Sequence, residues 1–150
     1  MKKSYSDKIQ RVNCLSNDLD MLYHQAARKL SVSDSVLCVL YMIYEKGDGC
    51  LLYDICNESG ISKQTINSAI RKLENEGILY LEQDKGKTKR ICLTEKGKHH
   101  ITQTAARLYE AECNAFDDWT EEEFELYLGL MKKYIDSLRT QIEKMEGRTL

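Results

Sequence analysis

Apolar positions recur along the chain at two periods, and the switch between them sets the predicted elements. Over residues 6–30, Val12, Leu15, Leu19, Leu22, Ala26 and Leu30 fall at spacings of three and four, one stripe of a helix. The stripe is narrow and long, roughly 36 Å if the whole segment is helical, which suits packing against another long helix better than wrapping a globular core. Ser31-Val32-Ser33-Asp34 supplies cap residues for a second, more thoroughly apolar helix carrying Val36, Leu37, Leu40, Tyr41, Ile43 and Tyr44, and Gly47-Asp48-Gly49 ends it. A short third helix is predicted over residues 52–57, with Leu52, Ile55 and Cys56 inward and Ser59-Gly60 as its stop. Ser62 is a good N-cap for a fourth helix reaching about Glu76, although Thr65 in place of Glu or Gln leaves it without a capping box.

Beyond Gly77 the period changes from 3.6 to 2. Residues 78–82 and 90–93 read as two strands, and the polar, glycine-bearing stretch 83–89 between them reads as a hairpin tip. Thr94-Glu95-Lys96-Gly97 opens a fifth helix with Ile101, Ala105, Leu108, Tyr109 and Phe116 as its apolar positions. Thr120-Glu121-Glu122-Glu123 has the form of a capping box for a sixth, with Phe124, Tyr127, Leu128, Met131, Ile135, Leu138, Ile142 and Met145 along it. The expected fold class is therefore mainly α with a small β-hairpin: helix, short turn, helix, then a two-stranded wing, which is a winged helix-turn-helix.

In that arrangement the fourth helix is the candidate for reading a major groove. At 100° per residue Ile66, Ala69, Ile70 and Leu73 share one sector and face the core. Gln64, Ser68, Arg71 and Asn75 lie opposite, flanked by Thr65, Asn67 and Lys72. Arginine bonds the O6 and N7 of guanine together, and Asn or Gln does the same at adenine N6 and N7, so this face carries the side chains that read base edges. Any amphipathic helix turns polar residues outward; the neighbouring hairpin tip, with Lys85, Lys87, Lys89 and Arg90, distinguishes this one. Such a wing can lie along the phosphates or reach a minor groove. The candidate DNA contacts are Lys63, Gln64, Thr65, Asn67, Ser68 and Arg71 on the helix, with those four basic residues on the wing.

Charge distribution reinforces this reading. The net charge of −2 over 150 residues would disfavour a polyanionic partner. Yet residues 85–98 hold six basic residues against the single acid Glu95, and residues 110–125 hold eight acidic residues and no basic one. That asymmetry fits one face meeting a polyanion. A composition of 42% hydrophobic and 31% charged residues is that of an ordinary globular chain. No apolar run approaches the roughly 20 residues of a membrane helix, so no membrane partner and a cytoplasmic location are expected. The six cysteines (Cys14, Cys38, Cys50, Cys56, Cys92, Cys113) include no Cys-x-x-Cys pair, which argues for a reducing compartment and against a zinc knuckle.

The run from Ile61 to Leu79, with Lys72-Leu73-Glu74 followed by Gly77, and then Lys89 to Gly97 with Leu93-Thr94-Glu95-Lys96-Gly97, resembles the MarR family of bacterial regulators. The resemblance extends over essentially the whole chain. It implies a homodimeric, ligand-responsive repressor of transcription on a pseudo-palindromic operator in double-stranded DNA. It also implies one domain over residues 1–150, with dimerisation helices at 1–32 and 99–150 around a DNA-binding lobe at 33–98. A small-molecule effector would be lined by Tyr23, Tyr41 and Tyr44. Where many members carry an aspartate and arginine pair at the wing tip, this chain has Lys85 and Lys87. Positive charge is kept there, and no aspartate-anchored wing arginine is expected.

Other readings have weaker support. The chain has no Gly-rich phosphate loop, His-Glu-x-x-His motif or nucleophile elbow, so no enzyme activity, cofactor or metal site is expected. His99 and His100 read as solvent-exposed helix residues, and His24 lies off the first stripe. A thiol-based redox sensor would use Cys14, beside which the only cation is Arg11 one turn earlier. A winged helix docking proteins instead of DNA would more often show exposed leucine or aromatic anchors where this chain has Arg71 and a basic wing.

Overall fold

A computed structural model describes residues 2–145. Met1 and residues 146–150, which the expected dimerisation ends include, lie outside the described residues. Helix α1 (Lys2–Lys29) ends where Ser31 adopts φ 59°, in the left-handed region, and the N–H of Val32 donates to the Ala27 carbonyl at 3.0 Å. Helix α2 (Asp34–Lys46) starts on Ser33, whose hydroxyl accepts from the Val36 N–H at 3.2 Å, and stops at Gly47, φ 95°. After α3 (Leu52–Glu58) and a four-residue connection comes α4 (Lys63–Asn75), capped by Ser62 accepting from the Thr65 N–H at 3.2 Å. Strands β1 (Leu79–Gln83) and β2 (Lys89–Leu93) pair antiparallel with Leu79 opposite Leu93 and Gln83 opposite Lys89. Three helices follow: α5 (Glu95–Gln103), α6 (Ala105–Ala115) and α7 (Glu121–Glu143). This is the mainly helical architecture with a hairpin wing that the sequence pattern predicts.

The described chain forms two compact units, one up to Glu110 and one from Ala111 onward. The first holds the core: Val36, Val39, Leu40 and Ile43 of α2 pack with Ile55, with Ile66, Ala69, Ile70 and Leu73 of α4, and with Ile78, Leu79, Ile91, Ile101 and Ala105. Burying these side chains supplies the apolar transfer energy that fixes α4 and the hairpin on one scaffold. In α1, Ala27 is buried, whereas Val12, Leu15, Leu19 and Leu22 are exposed. In the second unit, a capping box at Thr120 and Glu123 starts α7 as read from the sequence, and no residue of α7 is buried.

Two local expectations are corrected. The single fifth helix is broken at Thr104 (φ −124°, ψ −88°) into α5 and α6. Thr104 is buried, and its hydroxyl donates to the His100 carbonyl one turn back at 2.8 Å, a competing bond of the kind that bends helices. Phe116 then falls beyond α6, stacked edge-on with Trp119 and Phe124. His100 is half-buried instead of exposed, and its Nε2 is shielded with no hydrogen-bond partner. One turn back along α5 lies Gly97, itself buried against the Ile78 backbone in the turn after α4, which draws this side of the helix inward.

Candidate nucleic-acid interface

Packing of Ile66, Ala69, Ile70 and Leu73 into the core fixes the rotation of α4 about its axis, so the opposite face is set by the sequence and is turned outward. Lys63, Gln64, Thr65, Ser68 and Arg71 are exposed and Asn67 is half-buried. The Thr65 hydroxyl lies 2.8 Å from the Ser62 hydroxyl, and Ser68 donates to the Gln64 carbonyl at 3.0 Å, so both rotors are satisfied locally. Lys63 and Arg71 take part in no ion pair among the described residues.

The wing lies beside that face. Leu52, Asn67, Ile70, Arg71, Glu74, Leu81 and Lys89 line an open cleft of about 490 Å³. It brings the middle of α4 and the middle and outer part of the hairpin onto one surface, with Arg71 and Lys89 in its lining.

The six basic residues of the 85–98 run divide into two groups. Lys98 pairs with Glu95 at 3.0 Å, a hydrogen bond that holds its ammonium above the usual lysine range, and Lys96 donates to the Glu76 carbonyl at 2.7 Å. Arg90 donates from Nε to Asp84 at 3.1 Å and from Nη1 to the Gly49 carbonyl at 2.9 Å. By contrast Lys85, Lys87 and Lys89 are exposed and form no ion pair among the described residues. An arginine anchored by an aspartate is therefore present in the wing after all, at the start of β2 instead of at the tip. Its two contacts join the hairpin tip to the segment after α2, where Gly49 and Cys50 also bond Ile91 at 2.8 Å each. The sequence carries Asp84 beside the lysine-rich tip, and only the hairpin register brings it to Arg90.

The Leu93-Thr94-Glu95-Lys96-Gly97 motif acts on the far end of α4. The Thr94 hydroxyl donates to the Gly77 carbonyl at 2.6 Å and accepts from the Gly97 N–H at 2.9 Å. It caps α5 while satisfying the chain that leaves α4. The motif thus fixes α4, the wing and α5 to one another.

Two of the tyrosines predicted to line an effector site share one ring partner. Tyr41 and Tyr44 of α2 face Tyr109 of α6, with ring centroids 6.3 and 5.4 Å apart, and Tyr109 is the member that the sequence reading left among the core positions. Tyr23 is exposed on α1. His24 hydrogen-bonds Asp34 at 2.9 Å, joining the end of α1 to the start of α2. Burial pushes the Cys38 and Cys50 thiols up, and burial with the neighbouring Glu82 does the same to Cys92. A peroxide-sensing thiol needs the opposite shift. Among the described residues no group of three or more His, Cys, Asp or Glu is placed to hold a metal, and no helix is long and apolar enough to cross a membrane.

Comparison with known proteins agrees with this geometry. Residues 30–90 match the sequence model of the MarR family. The chain is 24% identical over 129 residues to YcgE of Bacillus subtilis (strain 168), described as an uncharacterized HTH-type transcriptional regulator, covering 84% of this chain and 83% of that protein. Its fold is similar to that of NMB1585, a MarR family regulator from Neisseria meningitidis, with a TM-score of 0.81 at 14% identity over 91% of this chain and 97% of that one. It is also similar to S. aureus MepR in a DNA complex, with a TM-score of 0.69 at 22% identity over 85% and 93% of the two chains. A MarR-type protein from Listeria monocytogenes, complexed with a 26mer DNA, gives 0.69 at 20% identity over 95% and 97%.

Proposed function

We propose, from a chain whose residues 30–90 are MarR-family sequence on the fold of MarR regulators, that this protein is a sequence-specific double-stranded DNA-binding regulator of transcription. It acts in the cytoplasm as a homodimer on a pseudo-palindromic operator, as a repressor released by a small-molecule effector. The observation that carries this reading is the cleft shared by α4 and the wing, which Arg71 and Lys89 line, together with Lys63, Lys85 and Lys87 exposed on the same two elements, all five without ion-pair partners among the described residues. Charges so placed have no internal ion pair to give up before meeting phosphates and base edges. The DNA present in the MepR and Listeria structures supports carrying the reading to this chain. In the same reading Tyr41 and Tyr44, with Tyr23, line the effector site, and Arg90 braces the wing through Asp84 while the three lysines meet the backbone.

Lys87→Ala tests the wing. If Lys87 neutralises one phosphate in each half of the dimer, its loss weakens specific and random duplexes alike. It also makes the slope of log affinity against log salt shallower by about 1.8, since each neutralised phosphate contributes roughly 0.9. A salt titration that leaves the slope unchanged removes Lys87 from the backbone contacts.

Homodimerisation is expected from the exposed apolar rows. Leu15 and Leu22 on α1 are 72% and 59% exposed, and Tyr127, Leu128, Met131, Ile135, Leu138 and Ile142 on α7 are all exposed. A monomer rarely leaves apolar rows of this length in water. Light scattering is expected to give twice the chain mass of 17.4 kDa, and a stable folded monomer at micromolar concentration would contradict the dimer.

A further inference from the structure

The apolar row of α7 leaves two leucines unexplained. At about 100° per residue, Leu126 and Leu130 point more than a quarter turn away from Phe124, Leu128, Met131 and Ile135, yet they are 62% and 57% exposed. A seam centred on that row leaves Leu126 on the far side of the helix and Leu130 at its edge, where Tyr127 adjoins it. They form one wall of a hollow of about 540 Å³, completed by Trp119, Tyr127, Asp118 and Glu123. That is within the roughly 300–1,000 Å³ of small-molecule sites.

The aromatic wall is built. Trp119 meets Phe116 and Tyr127 edge-on, with centroids 5.0 and 5.5 Å apart, and Phe116 in turn meets Phe124 at 5.1 Å. These contacts hold Trp119 in place after α6 while leaving it 42% exposed, so part of the indole is open to a ligand. The charged residues that line it are both acidic. Asp118 forms no ion pair among the described residues, and one oxygen of Glu123 accepts from the Thr120 N–H at 2.9 Å. No lysine, arginine or histidine occurs between Arg107 and Lys132. The positive end of α7 is already answered by the capping box and by Glu121, Glu122 and Glu123. The negative faces of tryptophan and tyrosine, an unpaired carboxylate and two leucines together favour one class of ligand.

We infer that this hollow binds a hydrophobic organic cation, an onium group carrying aromatic or alkyl substituents. The cation lies against the faces of Trp119 and Tyr127 within reach of Asp118, and the substituents cover Leu126 and Leu130. This site shares no lining residue with the tyrosines of α2 and does not depend on the DNA reading.

Trp119 is the chain's single tryptophan, so its fluorescence reports on the hollow directly. The intact protein is titrated with tetraphenylphosphonium and, separately, with tetraphenylborate, which has the same shape and the opposite charge. The phosphonium is expected to change the Trp119 emission saturably and the borate to leave it unchanged. Calorimetry is expected to show phosphonium affinity falling about threefold in Asp118→Asn and about fivefold in Trp119→Leu, the range of an exposed ion pair and an exposed cation–π contact. Equal responses to the two ions would reduce the hollow to a greasy patch. No saturable response from a folded dimer would mean that a second copy fills it. Either result overturns the inference, as does full affinity in both variants.

Discussion

Arg71→Ala is expected to cost on the order of 1–3 kcal/mol per half-site on the preferred duplex, about twice that for both halves of the dimer, and much less on random DNA. The asymmetry follows from where the side chain stands. Arg71 is exposed on the outward face of α4, one turn after Ser68, with Ile70 and Leu73 on either side of it in sequence anchored in the core. Its guanidinium is committed to no carboxylate among the described residues, so on the proposed reading truncation removes a contact to DNA without breaking an internal ion pair. A guanine pair lost in this way discriminates sequences, whereas a lost phosphate contact weakens all of them. Binding isotherms on a selected and a scrambled duplex measure the difference. Equal losses on the two would take Arg71 out of base reading and leave it as a phosphate contact.

Gly97→Ala is expected to destabilise the fold by about 1–3 kcal/mol or more, the cost of forcing an added methyl into a packed site. A Cβ at Gly97 would stand 1.9 Å from the Ile78 carbonyl oxygen and 2.9 Å from its carbon, both of them backbone atoms that no rotamer change can move. Helix α5 would have to lift away from the end of α4, giving up the bonds from Thr94 to Gly77 and Ile78. Thermal unfolding followed by circular dichroism is expected to show a midpoint lower by several degrees. Gly129→Ala is the control: a Cβ there meets nothing within 4 Å, and alanine in mid-helix gains up to about 1 kcal/mol over glycine. A Gly97→Ala protein melting with the parent would mean that the motif does not clamp α4 in the way these distances indicate.

Much of this arrangement was legible in the sequence, for physical reasons that differ from element to element. Ser33, Ser62 and Thr120 announce their helices because an N-cap bond closes over two or three residues and needs no tertiary partner. The outward face of α4 was legible because four buried positions at helical spacing leave only one rotation open. The break at Thr104 was not, since periodicity continues through it and only a buried threonine bonding backwards interrupts the ladder. Nor was the role of Arg90. Its partners lie 6 and 41 residues away, and a basic residue in a basic run looks the same whether it faces solvent or a carboxylate. Gly97 shows the intermediate case: the motif drew notice to the glycine, but the carbonyl it accommodates belongs to the turn after α4 and emerges only from packing.

Selection of bound duplexes from a random pool by the intact protein tests the central claim most directly. A homodimer that presents two copies of α4 to successive major grooves is expected to enrich a pseudo-palindrome whose half-sites lie about one helical turn, roughly 10 base pairs, apart. Failure of a folded dimer to enrich any sequence, or enrichment of sites without two-fold symmetry, would contradict it.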